Sequence, residues 1–159
     1  MSKKARIFLI SISRHQSNSI TSLTNEYTKR CTGLLQEIVI RPPTRNKSLT
    51  VVEIKKQELK LIKKVLKAQK INQFILFDEN GSRFNSQQFS KIIFDLQTKD
   101  RIALIIGGAD GFSDEIKKSA VELISISTLT ISHELARVVA CEQIYRALTI
   151  KSGHPYHRE

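Results

Sequence analysis

Three short stretches of uninterrupted apolar residues, Ile7-Phe8-Leu9-Ile10, Phe74-Ile75-Leu76-Phe77 and Ile102-Ala103-Leu104-Ile105-Ile106, narrow what this chain can fold into. Each is too short for a buried helix and is bounded by polar or turn-forming residues, so each reads as a buried strand. Segments with helical spacing of apolar residues separate them. Strands alternating with helices from end to end predict an α/β sandwich with a largely parallel sheet.

The alternation can be followed residue by residue. Residues 5–12 read as a strand, 18–30 as a helix and 34–40 as a second strand. Residues 41–48 carry Pro42, Pro43, Arg41, Arg45 and Lys47, and read as a stiff basic loop, since paired prolines cannot sit in a central strand. Thr50 and Glu53 form a capping box for a helix reaching about Ala68, with Ile54, Leu61, Ile62, Val65 and Leu66 on one face. After Phe77, Asp78-Glu79-Asn80-Gly81 reads as a turn, and Asn85 with Gln88 opens a helix through Gln97. The strand 102–106 ends at Gly107-Gly108, and Ser113-Asp114-Glu115 starts a short helix. The last helix, about 135–150, has Leu135, Val138, Val139, Ile144, Leu148 and Ile150 spread widely around it, which predicts burial against both its own sheet and a second subunit. With 159 residues and neither a repeat nor a linker, the chain is expected to form one domain, 1–159.

Charge is unevenly placed. The net charge is +11, yet residues 1–70 hold 16 Lys/Arg against 4 Asp/Glu while residues 71–159 hold 10 against 11. An acidic partner is implied, and nucleic acid fits better than a membrane because no basic amphipathic helix carries exposed aromatics. Seven lysines between Lys55 and Lys70 share one predicted helix, which is equally what a solvated face would contain. The N-terminal apolar run is cut short by Arg14 and His15 without a small-residue cleavage site, so it reads as a first strand and not a secretory signal, and a cytoplasmic location is expected. Cys31 and Cys141 lack metal-ligand or redox spacing and read as buried thiols; no metal site is expected.

Candidate chemistry gathers late in the chain. In an open α/β sheet ligands collect at the carboxyl ends of strands: here Phe77, Gly107-Gly108 and the loop near 127–132. The glycine spacing fits neither a dinucleotide fingerprint nor a P-loop, and alone is compatible with an ordinary strand-to-helix turn. The hydroxyl-rich Ser127-Thr128-Leu129-Thr130-Ile131-Ser132 could serve an adenine or simply connect two elements. His133, Arg137, Glu142, Tyr145 and Arg146 are the polar residues of the last helix, Glu142 and Arg146 at ion-pair spacing. The ending His154-Pro155-Tyr156-His157-Arg158-Glu159 combines stacking surface, a proton acceptor and phosphate ligands.

Taken together, residues 104–111, 128–133, Arg137-Val138, residues 142–147 and the HPYHRE ending resemble the RlmH family of the SPOUT methyltransferases, in motif order and spacing across essentially the whole chain. The resemblance implies a SPOUT-type α/β fold with a C-terminal trefoil knot, a homodimer, and S-adenosyl-L-methionine-dependent methylation of N3 of a pseudouridine in large-subunit (23S) ribosomal RNA. By the same resemblance Phe77, Gly108, Ser127, Thr128, Leu129, Thr130, Ile131 and Ser132 would hold the cofactor. Family members often carry leucine in place of Phe77 and proline in place of Ser132. His133, Arg137, Tyr156 and His157 would be catalytic, and His154 and Arg158 would contact the RNA. Two alternatives remain: a SPOUT methyltransferase acting on transfer RNA, and a ribosome-binding factor without catalysis.

Overall fold

A computed structural model describes residues 5–158, so Glu159 of the C-terminal ending lies outside the described residues. Five strands, β1 (Ile7–Ile12), β2 (Leu35–Ile40), β3 (Gln73–Ser82), β4 (Ile102–Ile106) and β5 (Glu122–Ile124), form one sheet in the order β2-β1-β4-β3-β5. Every neighbouring pair is parallel. The strands alternate with α1 (Asn18–Arg30), α2 (Val51–Ala68), α3 (Ser86–Gln97) and α4 (Asp114–Ser119), and α5 (His133–Ser152) closes the chain.

Parallel connections put helices on both faces of the sheet, which is why its central strands are apolar throughout. All five residues of β4 are buried. Ile7, Leu9, Ile75, Leu104 and Ile106 face α1, α3 and α5; Phe8, Ile10, Leu76, Ala103 and Ile105 face α2 and α4. The period-two alternation therefore fills two cores, one on each side. Caps fix the helix starts: the Thr50–Glu53 box opens α2 and the Asn85–Gln88 box opens α3, each with both reciprocal bonds made. Ser17 caps α1 and Ser132 caps α5.

One expectation needs correction. Residues 78–81 are not a turn but the continuation of β3, which shifts register against β5 between Phe77 and Ser82. Gly81 permits this, since a Cβ there would lie 2.6–2.7 Å from the backbone of Leu123 and Ile124. Of the apolar residues spread around α5, Ile144 is buried, while Val138, Val139, Leu148 and Ile150 are half-buried. The helix lies between α1 and α3, and its small residues Ala136, Ala140, Cys141 and Ala147 are buried against them and the sheet. Leu135, 53% exposed, is the large apolar side chain it leaves open. Among the described residues no helix is long and apolar enough to cross a membrane.

Candidate functional site

A cavity of about 550 Å³ opens where β3, β4 and β5 end. Its walls are residues 77–80 of β3, residues 106–112 after β4, residues 125–127 and 129–132 after β5, and His133 and Ala136 of α5, with Lys55 and Lys117 at its edge. Eight of the residues anticipated from sequence come together here: Phe77, Gly108, Ser127, Leu129, Thr130, Ile131, Ser132 and His133. Thr128 belongs to the same loop without lining the cavity.

The loop between β5 and α5 holds its shape through its own hydroxyls. Ser125 Oγ donates to the Ser127 carbonyl at 2.9 Å, and Ser127 Oγ accepts from the Leu129 N–H at 2.9 Å. That second bond projects Leu129 outward, 75% exposed beside the cavity. Asp78 and Lys117 pair at 2.7 Å. Burial alone would raise the Asp78 carboxyl, but the Lys117 ammonium and the Asn80 N–H outweigh it and hold the group below the usual carboxylate range.

The glycine turn rests on a buried acid that pattern reading did not single out. Glu58, on the inner side of α2 and 4% exposed, accepts the Gly108 N–H. A Cβ on Gly108 would lie 2.5 Å from its Oε1 and 2.9 Å from its Oε2. A side chain at Gly108 would thus have to displace the Glu58 carboxyl, with no positive φ involved. Burial, then the charge of Asp110, pushes the Glu58 carboxyl up; Arg45 and Lys55 act in the opposite direction. Arg45 of the basic loop also forms an ion pair with Asp110, so residues 41–48 are tied to the cavity rim. The signal available in sequence was an acid of α2 beyond the capping Glu53, set among the lysines beside the apolar face of the helix.

Five anticipated residues lie elsewhere. Arg137 is fully buried beneath α5, where Nε and Nη2 lie 2.9 and 2.8 Å from Oε1 of Glu37 on β2. It holds the helix to the sheet edge and does not line the cavity. After the left-handed cap Gly153, the tail folds onto the C-terminal half of its own α5. There the Tyr156 ring meets Tyr145 edge-on with centroids 4.8 Å apart, Arg146 stacks over it at 4.9 Å, and its hydroxyl donates to Glu142 at 3.1 Å. Burial and the hydrogen bonds to Tyr27 and Glu142 push the Tyr156 phenol up to about 12, so near neutrality it stays protonated and serves as a hydrogen-bond donor. Glu142 lies nine residues beyond His133, about 14 Å along the helix. His154, His157 and Arg158 lie in the same tail and do not line the cavity of their own chain either.

The thiols of Cys31 and Cys141 are buried, and desolvation pushes each up to about 12, which leaves neither as a nucleophile.

Comparison with known proteins gives a consistent picture. The family described as "Predicted SPOUT methyltransferase" matches residues 5–157. Ribosomal RNA large subunit methyltransferase H of Parabacteroides distasonis is 37% identical over 158 residues, covering 97% of this chain and 99% of that protein. The protein of the same name from Caldicellulosiruptor saccharolyticus is 39% identical over 137 residues, covering 84% of this chain and 87% of that one. Among solved structures, the A. aeolicus TrmH/SpoU tRNA modifying enzyme superposes with a TM-score of 0.54 at 11% identity, over 99% of this chain and 84% of that one. At that identity the likeness is one of fold.

Proposed function

The chain belongs to the SPOUT methyltransferase family, and from that premise we propose that it transfers a methyl group from S-adenosylmethionine to N3 of a pseudouridine in large-subunit ribosomal RNA. The observation that carries this reading is the cavity at the carboxyl ends of β3, β4 and β5, walled by the glycine turn and the 125–132 loop in a chain of that family. Its volume falls within the roughly 300–1,000 Å³ of small-molecule pockets. The fit to the cofactor is chemical as well. Phe77, Leu129 and Ile131 offer apolar surface for a flat base, and the 127–132 loop offers hydroxyls and backbone groups. When bound, S-adenosylmethionine supplies an activated methyl group on a sulfonium.

The chain's own residues then align, hold the base and remove a proton. N3 of the base carries a proton that must leave, and His133 is the imidazole that lines the cavity. Arg137 anchors α5 and thereby the cavity wall that begins at His133. The tail packs against the far half of its own α5, so we assign Tyr156, His157, His154 and Arg158 to the cavity of a second copy, in a homodimer joined near Leu135. Phosphates would meet the outer face of α2, where Lys56, Lys60, Lys64 and Lys67 lie exposed, together with Arg41 and Lys47 of the loop tied to the cavity rim. The 159 residues act as one domain in the cytoplasm, with the trefoil knot formed by the segments around the cavity.

The test is a calorimetric titration with S-adenosylmethionine followed by methyl transfer to ribosomes, free large-subunit RNA and transfer RNA. Binding at micromolar affinity with transfer to ribosomal RNA is expected. Transfer to transfer RNA alone would favour the first alternative, and absence of cofactor binding would leave a ribosome-binding factor.

A further inference from the structure

Ser13 follows β1 directly, is 3% exposed, and touches two groups. Its hydroxyl lies 2.6 Å from the carbonyl oxygen of His15 and 3.2 Å from Nε2 of His133. A hydroxyl owns one hydrogen, and a carbonyl oxygen can only accept. The short contact to His15 therefore takes the Ser13 proton and leaves lone pairs facing His133. Nε2 must supply the hydrogen for the second contact, because two bare acceptors at that distance repel each other. In a neutral imidazole only one nitrogen carries a hydrogen, so the lone pair resides on Nδ1.

We propose that Ser13 is a positioning residue that holds His133 in its Nε2–H form and in one ring orientation, making Nδ1 the atom that accepts the substrate proton. The assignment rests on the functional reading above for the identity of the substrate, while the tautomer does not. His133 is the first residue of α5, capped by Ser132, and lines the cavity, so the helix start and the end of β1 jointly fix the ring. In the transfer step the N3–H bond breaks and its proton passes to Nδ1. The electron pair left on N3 forms the new bond to the methyl carbon, and the pair of the broken carbon–sulfur bond remains on sulfur. His133 then carries both ring hydrogens and returns its proton to solvent. The carbonyl of His15 is part of the device, since an acceptor on the far side of Ser13 is what prevents the hydroxyl from donating to the ring.

Nitrogen-15 NMR of histidine-labelled protein, without cofactor or RNA, reads this directly. In the wild type, His133 should show a protonated Nε2, a pyridine-type Nδ1, and an Nε2 proton sheltered enough from exchange to be observed. In Ser13→Ala that proton resonance should be lost, kcat on ribosomes should fall about tenfold at unchanged KM through misalignment, and Ser13→Thr should restore both. A wild-type Nδ1–H tautomer, or a Ser13→Ala spectrum identical to wild type, would overturn the proposal. So would loss of the resonance in Ser13→Ala with kcat unchanged, because His133 would then not be the proton acceptor. A wild-type protein with the expected spectrum but no methyl transfer to any RNA would instead sink the functional reading.

Discussion

Replacing Glu37 by leucine tests the place given to Arg137. The guanidinium is fully buried, and its charge is met by one carboxylate oxygen, Oε1 of Glu37, which approaches both Nε and Nη2. Among the described residues neither Nη1 nor Nη2 has a hydrogen-bond partner, so Nε alone donates to the carboxylate. Removing the carboxylate leaves an uncompensated charge between α5 and the sheet, and breaking a buried pair in this way costs about 3–5 kcal/mol. For a chain of this length about 2–4 °C accompanies each kcal/mol, so Tm should drop by roughly 6–20 °C. The assay is urea unfolding followed by circular dichroism, with the midpoint shifting at constant slope. Glu26→Ala is the control, because the exposed Arg30–Glu26 pair should contribute under about 1 kcal/mol. The double variant Glu37→Leu/Arg137→Met removes both charges and should recover most of the lost stability and retain S-adenosylmethionine binding. A Glu37→Leu protein no weaker than the control would refute the buried-pair argument. A stable double variant that binds cofactor but cannot transfer methyl would return Arg137 to the chemistry.

Other consequences can be checked separately. Gly108→Ala should destabilise by about 1–3 kcal/mol through overpacking against Glu58, and the cost should shrink in a Glu58→Ala background; equal cost in both backgrounds would show that Glu58 is not the obstacle. Because burial and Asp110 hold the Glu58 carboxyl above its ordinary 4.5, its neutral form is favoured by the fold. The stability it contributes is full below that value and lost as pH rises through the raised one, so Glu58→Gln should gain on wild type in unfolding experiments above, not below, this window. Changing Lys56, Lys60, Lys64 and Lys67 to Gln should lower RNA affinity for all sequences and flatten the salt dependence by about 0.7–0.9 in log–log slope per lost contact; an unchanged slope would make the α2 face only a solvated one. Deleting residues 156–159 should abolish methyl transfer while sparing cofactor affinity, and wild-type activity of the truncated protein would remove the tail from the site.

The layers were legible because local signals and global pattern agree. The capping boxes at Thr50 and Asn85 mark helix starts, and the unbroken apolar runs of β1, β3 and β4 announce strands covered on both faces. The extension of β3 was not legible, since Asp78, Asn80 and Gly81 are ordinary turn residues and only the register shift against β5 makes them strand. The packing role of Arg137 was not legible, because its partner, Glu37, is 100 positions away. The clustered ends of the strands brought the expected cofactor residues together. The tail could not be placed, since its aromatic and charged groups suit either an RNA base or the Glu142–Tyr145–Arg146 face it occupies. Ser13 carried no signal at all, because its meaning depends on His15 and His133 meeting the same hydroxyl.

The central claim is methylation of one nucleotide in large-subunit ribosomal RNA, and mapping that RNA by mass spectrometry tests it most directly. Cells lacking the protein should lose a methyl group from one pseudouridine, wild-type protein should restore it, and His133→Ala should not. An unchanged modification pattern in the cells lacking the protein would contradict the account.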